Sequence, residues 1–318
     1  MNLHKPKFWD FKKPNFLAYL LLPLSLLIKV NIFFSKLYPK KKFKKIKTIC
    51  IGNIYLGGTG KTPTTLKLYQ LLKNINYSVV NAKKYYFRQE DEYVLLNNKS
   101  KVISLRNRYE IIKHAIEKNF ELIIFDDGLQ EKKIDYDLKF VCFDSKNWIG
   151  NGLLIPSGPL REEINSLKKY NGVFLKVTNT NIDLNKIKLI IKNINPKIEV
   201  FDSYVKIKDI ERLNLSDKYL IFSGIGNSSS FRETLENNNF NIIEEKIFPD
   251  HYDYNDQDIQ KILEIAKNKD LKILTTEKDF IKIPDDLKSE INFVEIDLEI
   301  PKKDKLIKFI KSKIDARN

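Results

Sequence analysis

The sequence predicts an α/β fold: a mostly parallel sheet with helices on both faces, a second, smaller α/β domain, and an N-terminal membrane-associated helix. Three observations carry that prediction. Short apolar runs of strand length alternate with helix-period segments along most of the 318 residues, the order that builds a parallel sheet. One such run, Ile46 to Ile51, enters a glycine-rich turn that closes on Gly60-Lys61-Thr62, and a helical pattern (Leu66, Leu68, Tyr69, Leu71, Leu72) leaves it. Strand, glycine turn and helix in that order form a phosphate cradle, so the sheet is expected to be P-loop NTPase-like. Lastly, the apolar run Phe16 to Phe34 is followed directly by Lys36, Lys40, Lys41, Lys42, Lys44, Lys45 and Lys47.

That N-terminal run belongs at a bilayer. A spanning helix needs about 20 apolar residues, and this run is barely that long while carrying Pro23, Ser25, Lys29 and Asn31. Ser25, Lys29 and Lys36 share one helical stripe, which suits a monotopic helix lying in the interface with a snorkelling lysine. A cleaved signal peptide fits less well, because no small-residue cleavage site follows and the lysines lie on the wrong side. A core helix of the globular part is the plain alternative. Because the nucleotide turn follows within a few residues and nucleoside triphosphates are cytosolic, the face that carries the turn is expected to be cytoplasmic, and lysines beside an anionic leaflet agree.

Composition narrows the class. A hydrophobic fraction of 42% over this length suffices for one or two cores. Cys50 and Cys142 are the only cysteines and both sit in apolar strand patterns, which excludes a disulfide framework and points to a reducing compartment. A formal charge of +15 suggests an anionic partner, although the chain is also saturated with Lys, Asn and Ile. It shows no basic, aromatic-rich module of a nucleic-acid binder, so no nucleic acid is expected as partner.

The turn itself predicts chemistry. Gly57, Gly58 and Gly60 lack Cβ atoms, so successive N–H groups can close on a pyrophosphate at a helix N-terminus. The nucleotide contacts are assigned to Gly57, Gly58, Thr59, Gly60, Lys61, Thr62 and Pro63, with Lys61 on the β- and γ-phosphates and the Thr62 hydroxyl on magnesium. The usual spacing places a further glycine at position 55, where this chain has Tyr55. A glycine turn without a ligand is the bland alternative.

Onward, Tyr77 to Val80 reads as a strand, Arg106 to Lys118 as a helix, and Leu122 to Phe125 as a strand ending in Asp126-Asp127. Carboxylates at the end of a neighbouring strand can hold magnesium, while Asp-Asp-Gly could equally be a simple turn. Further strands are expected at Phe140 to Phe143, Gly172 to Val177, Tyr219 to Ser223, Ile242 to Phe248, Ile273 to Thr275 and Ile291 to Ile296, and helices at Ser229 to Asn237, Asp256 to Lys267 and Lys303 to Ile314. The polar stretch Thr178-Asn179-Thr180-Asn181 suggests a boundary, giving a membrane-associating segment 1–45, a nucleotide-binding domain 46–178 and a C-terminal α/β domain 179–318.

Several motifs together resemble one family. They are Gly57 to Pro63, Asp91-Glu92, Asp126-Asp127-Gly128-Leu129-Gln130, the segment Gly150-Asn151-Gly152 to Pro159-Leu160-Arg161-Glu162, Gly224-Ile225-Gly226-Asn227, Phe248-Pro249-Asp250-His251 and Thr276-Glu277-Lys278-Asp279. Over about Trp9 to Asp279 the chain resembles the tetraacyldisaccharide 4'-kinases. The resemblance implies phosphoryl transfer from ATP, with Mg2+, to the 4'-hydroxyl of a tetraacylated glucosamine disaccharide 1-phosphate in lipid A biosynthesis. It implies that Asp91 and His251 form the base dyad and that Glu162 joins Thr62, Asp126 and Asp127 at the metal. Phosphate chemistry suits Arg161 to the transferring phosphoryl group, against a plain surface ion pair with Glu162 or Glu163. Glu92 is a candidate nucleotide contact, and Lys278 and Asp279 are expected near the cleft. Of the other histidines, His4 lies in the polar N-terminal arm and His114 in a lysine-bearing helical pattern.

Two departures stand out. Where the family carries an Arg-Gly-Tyr-Gly loop, this chain reads Lys83-Lys84-Tyr85-Tyr86-Phe87-Arg88, leaving Lys84 or Arg88 to reach phosphate. Where it carries a histidine after Asp-Asp-Gly-x-Gln, this chain has Glu131. The alternative activity, from a different class, is a membrane-associated P-loop switch ATPase with no lipid acceptor.

Overall fold

A computed structural model describes residues 5–35, 37–86, 90–178 and 182–315. His4, Lys36, Arg88 and the boundary residues Asn179, Thr180 and Asn181 lie outside the described residues.

The first sheet is built from β1 (Lys47–Gly52), β2 (Val79–Lys84), β3 (Val102–Leu105), β4 (Leu122–Asp126), β5 (Leu138–Asp144), β6 (Gly172–Val177) and β7 (Glu199–Ile207), and these strands run parallel. Its spatial order is β3-β2-β4-β1-β5-β6-β7, and a last strand, β12 (Ile296–Glu299), joins β7 antiparallel at the far edge. Strand period 2 assigns the faces. Cys50, Ile123, Phe125, Val141, Val173 and Leu175 meet helices α5 (Arg108–Glu117) and α6 (Leu184–Ile194) on one side. Ile49, Ile51, Leu122, Ile124, Phe140 and Phe174 meet α3 (Lys61–Lys73) and α10 (Lys303–Ile314) on the other. Both faces are covered, which is why the inner strands read as unbroken apolar runs.

The second sheet is smaller and parallel, in the order β11-β10-β8-β9: β8 (Lys218–Ser223), β9 (Asn241–Ile247), β10 (Lys272–Thr276) and β11 (Ile291–Val294). Helices α7 (Ser228–Glu236) and α8 (Asp256–Asn268) cover opposite faces, with Phe231 and Leu235 against Tyr219 and Ile221, and Ile259 and Ile262 against Leu220 and Phe222. Two short helices complete the cleft walls, α4 (Glu90–Lys99) after β2 and α9 (Glu277–Phe280) after β10.

Sheet membership divides the chain elsewhere than at 178/179. The first sheet continues to Ile207, and the run Ile291 to Ile296, expected as one strand, breaks at Glu295 so that β12 and α10 return to it. Glu295 pins that crossing: its carboxylate takes Lys208 and Lys99, each at 2.8 Å.

The apolar N-terminal run forms α1 (Phe16–Leu20) and α2 (Leu22–Ser35), parted at Leu21, with Pro23 in the first turn of α2, where a missing N–H costs nothing. Among the described residues no helix is long and apolar enough to cross a membrane. Within the polar stripe, Ser25 faces the protein body while Lys29 keeps more than half of its side chain exposed. Ser25 is buried, donating to Leu154 O at 2.9 Å and to Ser157 Oγ at 2.7 Å, and Lys29 meets Glu163 at 2.8 Å. A buried hydroxyl needs partners, and the 154–157 loop provides them. Phe16, Leu20, Leu24, Leu27, Val30 and Phe33 are left more than half exposed.

Candidate active site

The cleft lies at the carboxyl ends of the first sheet's strands, where open α/β sheets bind ligands. β1 leads into the glycine turn, in which Gly57 (φ 140°) and Gly60 (φ 83°) take conformations that side chains disfavour. Gly60 caps α3, and the Thr64 hydroxyl donates back to its carbonyl at 2.7 Å. Tyr55 explains its own departure from the usual glycine. Its ring is buried with Leu154 and Leu160, its backbone bridges Leu160, and its hydroxyl donates to Asp10 at 2.5 Å. Burial, with that bond, pushes the phenol pKa well up. Within the turn, Thr59 Oγ1 is buried without a hydrogen-bond partner among the described residues, as suits a loop built to wrap an oxygen-rich anion.

Beneath the turn, Thr62 Oγ1 donates to Asp126 Oδ2 at 2.9 Å, and Lys61 Nζ lies 3.8 Å from Asp127 Oδ2. Asp126 is also held by Lys83 Nζ at 3.1 Å. Arg161 Nη1 reaches both Asp127 oxygens at 3.5 Å and Gln130 Oε1 at 3.4 Å. Burial opposes the charge on Asp127, but Lys61 and Arg161 outweigh it and lower its pKa. A hydroxyl and a carboxylate in contact suit a small hard cation that takes its remaining ligands from phosphate and water. Among the described residues no group of three or more His, Cys, Asp or Glu forms a protein cage for a metal.

The dyad is assembled from both sheets. Asp91, on the first turn of α4, is 7% exposed. His251 sits between β9 and α8 with φ 58°, its N–H donating to Gly224 O at 3.2 Å. Across 160 residues of sequence, His251 Nδ1 lies 3.0 and 3.1 Å from the two Asp91 oxygens. Burial raises the Asp91 pKa, but the His251 bond and the Lys278 charge outweigh it, and the net shift is downward. Lys278 Nζ is 3.5 Å from Asp91, and Lys282 Nζ is 4.0 Å. Asp279, fully buried, accepts from Gly224 N at 3.0 Å and braces the loop that carries His251.

A continuous polar path joins dyad and turn. Glu92, next to Asp91, forms a close ion pair with Lys83, whose ammonium also meets Asp126, and Asp126 meets Thr62. Burial disfavours the Glu92 charge, yet Lys83 and Lys278 pull its pKa far down, while Lys83 is pushed up by Asp126 and Glu92 against its own burial. The second sheet closes over the turn as well: a Cβ on Gly58 would stand 3.3 Å from Asn227 Cβ.

Glu162 is placed differently from Thr62 and Asp126. It is buried, and its carboxylate accepts from Tyr170 at 3.0 Å and meets Lys169 at 2.5 Å. Its link to the turn runs through Gln130 at 3.4 Å. Lys84 lies over the Tyr86 ring, 5.2 Å from its centroid. Glu131 takes Arg108 at 3.3 Å, an ion pair where the family pattern has an imidazole. Lys83 was not singled out from sequence. Its signal was a lysine inside a strand otherwise buried on both faces, which requires acidic partners.

The profile of the family described as tetraacyldisaccharide-1-P 4'-kinase, LpxK, matches residues 17–315. The chain belongs to that family. It is 45% identical over 302 residues, 94% of this chain and 95% of the relative, to the tetraacyldisaccharide 4'-kinase of Pelagibacter ubique strain HTCC1062. To the enzyme of the same name from Rickettsia akari strain Hartford it is 34% identical over 322 residues, 96% of each chain. A crystal structure of LpxK from Aquifex aeolicus in complex with ATP shares the fold, with a TM-score of 0.68 at 24% identity over 94% of this chain and 99% of that one. Family membership makes this chain a phosphotransferase that acts on a hydroxyl group in lipid A biosynthesis.

Proposed function

We propose that the cleft binds ATP with Mg2+ on the glycine turn and transfers the γ-phosphoryl group to the 4'-hydroxyl of a tetraacylated disaccharide 1-phosphate activated by Asp91 and His251. The observation that carries this reading is the Asp91–His251 contact at 3.0 Å, made between two sheets and joined to Thr62 through Glu92, Lys83 and Asp126. In this reading Gly57, Gly58, Thr59, Gly60 and Pro63 shape the phosphate cradle, and Lys61 neutralises β- and γ-oxygens. Thr62 and Asp126 hold the cation, with Asp127 beside them and Glu162 acting through Gln130. As the hydroxyl oxygen bonds to phosphorus, its proton passes to Asp91, and the bond to the β-phosphate breaks with its electrons leaving on ADP. Arg161 neutralises charge on the transferring group.

The exposed apolar face of α1 and α2 supports a seat on the cytoplasmic surface of the inner membrane, with acyl chains of the acceptor in the bilayer and its sugar at the cleft. Incubation with labelled ATP, magnesium and detergent-dispersed tetraacyldisaccharide 1-phosphate tests the reading. Label on the lipid is expected, and magnesium-dependent hydrolysis with no label on lipid would replace it with the switch ATPase.

A further inference from the structure

Lys278 occupies the centre of the dyad's charged surroundings. From the one-turn helix α9 its ammonium, largely buried, reaches His251 Nε2 at 3.5 Å, Asp91 Oδ2 at 3.5 Å, Glu92 Oε1 at 3.5 Å and Asp250 Oδ1 at 3.3 Å. We propose that Lys278 is a positioning residue for the base: it holds Nε2 of His251 as a lone pair, keeps the ring neutral, and so places the ring's single proton on Nδ1, facing Asp91. This inference rests on the assignment of Asp91 and His251 as the dyad.

The argument is one of donors and acceptors. An ammonium has three donors and no acceptor, and three of its four neighbours here are carboxylate oxygens; an N–H on Nε2 would set a hydrogen against that ammonium at 3.5 Å, which a lone pair on Nε2 avoids. Nε2 has two other charged neighbours, Glu92 Oε1 at 3.7 Å and Asp250 Oδ1 at 3.9 Å, both outside hydrogen-bond range and both already engaged by Lys278, Glu92 also by Lys83. At the opposite nitrogen stand the two Asp91 oxygens, with Glu92 N donating to one of them at 2.8 Å. Lys282 lies one turn on, 4.0 Å from Asp91, tied to Asp279 at 3.0 Å. Without Lys278, three carboxylates would surround the imidazole, the setting that charges a histidine.

The consequence falls on Asp91. An imidazolium bonded to its carboxylate would make it a poor acceptor for the sugar proton. A neutral ring with Nδ1–H orients the same carboxylate while leaving the charge on an ammonium, 3.5 Å off. The four-residue α9, opened by the Thr276 cap that also bonds Asp279, fixes where that ammonium points.

Nitrogen-15 NMR of the full chain labelled only at histidine reads tautomer and charge directly, and there are just three imidazoles, His4, His114 and His251. Substituting His4→Gln and His114→Gln assigns the spectrum. His251 in the unsubstituted protein at about neutral pH is expected neutral and protonated on Nδ1. In Lys278→Met the imidazolium should persist to a pH at least about one unit higher, and the acid limb of kcat should move the same way. Lys278→Arg, also donor-only, should keep both near the original. An Nε2–H tautomer or an imidazolium in the unsubstituted protein overturns the proposal, and that spectrum decides even if Lys278→Met fails to fold. Unchanged titration in Lys278→Met overturns it as well. Loss of the dyad assignment would show differently, as Asp91→Asn leaving turnover intact, with no bearing on the spectrum.

Discussion

If Asp91 is the base proposed above, replacing it by asparagine removes that base while keeping its shape. The amide oxygen can still accept from Glu92 N, as the carboxylate does at 2.8 Å, and can stand against His251 Nδ1, now 3.0 Å away, but it cannot take a proton from a sugar hydroxyl. A positioned general base is worth about 10²- to 10⁴-fold in rate, or about 2.7 to 5.5 kcal/mol at 1.36 kcal/mol per decade. The nucleotide side should hardly notice. Asp91 is separated from Thr62 by Glu92, Lys83 and Asp126 in turn, so ATP affinity is expected to change by no more than about twofold. Initial rates of lipid phosphorylation at saturating acceptor give kcat, and a fluorescent ATP analogue gives affinity. A drop in ATP affinity matching the drop in kcat would refute the reasoning, since it would make Asp91 part of the triphosphate site. A loss of turnover below tenfold would refute it from the other side.

Lys83→Met leaves Asp126 buried without its cation, while the part-exposed Glu92 keeps Lys278, and breaking a buried pair this way costs about 3 to 5 kcal/mol; a urea midpoint that does not move would contradict that account. Leu20→Asn with Leu24→Asn and Leu27→Asn alters side chains that are more than half exposed, so the folded fraction should hold while sedimentation with anionic vesicles falls steeply; unchanged sedimentation removes the membrane role of this face. Stability should form a plateau in pH. Asp91, Glu92 and Asp127 have folded pKa values below their unfolded ones, so their contribution is present above about pH 4 and disappears as pH falls through the folded values. Lys83 and Lys278 have raised values, so theirs is present below about pH 10 and disappears as pH rises beyond it. Denaturation midpoints that climb between pH 5 and pH 3 would reverse the first sign.

The parallel core was legible because its strands are buried on both faces and so carry unbroken apolar runs; Gly172–Val177 and Lys303–Ile314 appear at the bounds their patterns gave. Edge elements were not. β3 (Val102–Leu105) is half-solvated and short, and β7 (Glu199–Ile207) alternates with charged residues. Helix α6 is strongly amphipathic, burying Ile187 and Ile191, but stood beyond a polar stretch that suggested a new domain. The break at Glu295 is invisible locally, because Ile291 to Ile296 has strand character throughout and only the tertiary partners Lys208 and Lys99 divide it. At the cleft, Asp91 and His251, paired by the family resemblance, lie 3.0 Å apart. Lys83 escaped because a lone lysine in a strand carries no motif, only an electrostatic demand. The helical stripe was legible, but the packing of Ser25 against Leu154 and Ser157 was not, since periodicity gives a face and does not say what lies against it.

The glycine turn itself belongs to the first sheet, whereas the imidazole beside Asp91 belongs to the second, on a peptide linked to the rest through residues 208–217 and 295. The two blocks meet through Asp91 against His251 and through Gly58 against Asn227, so an insertion in either link that shifts one block against the other would part the carboxylate from the imidazole without cutting the glycine turn.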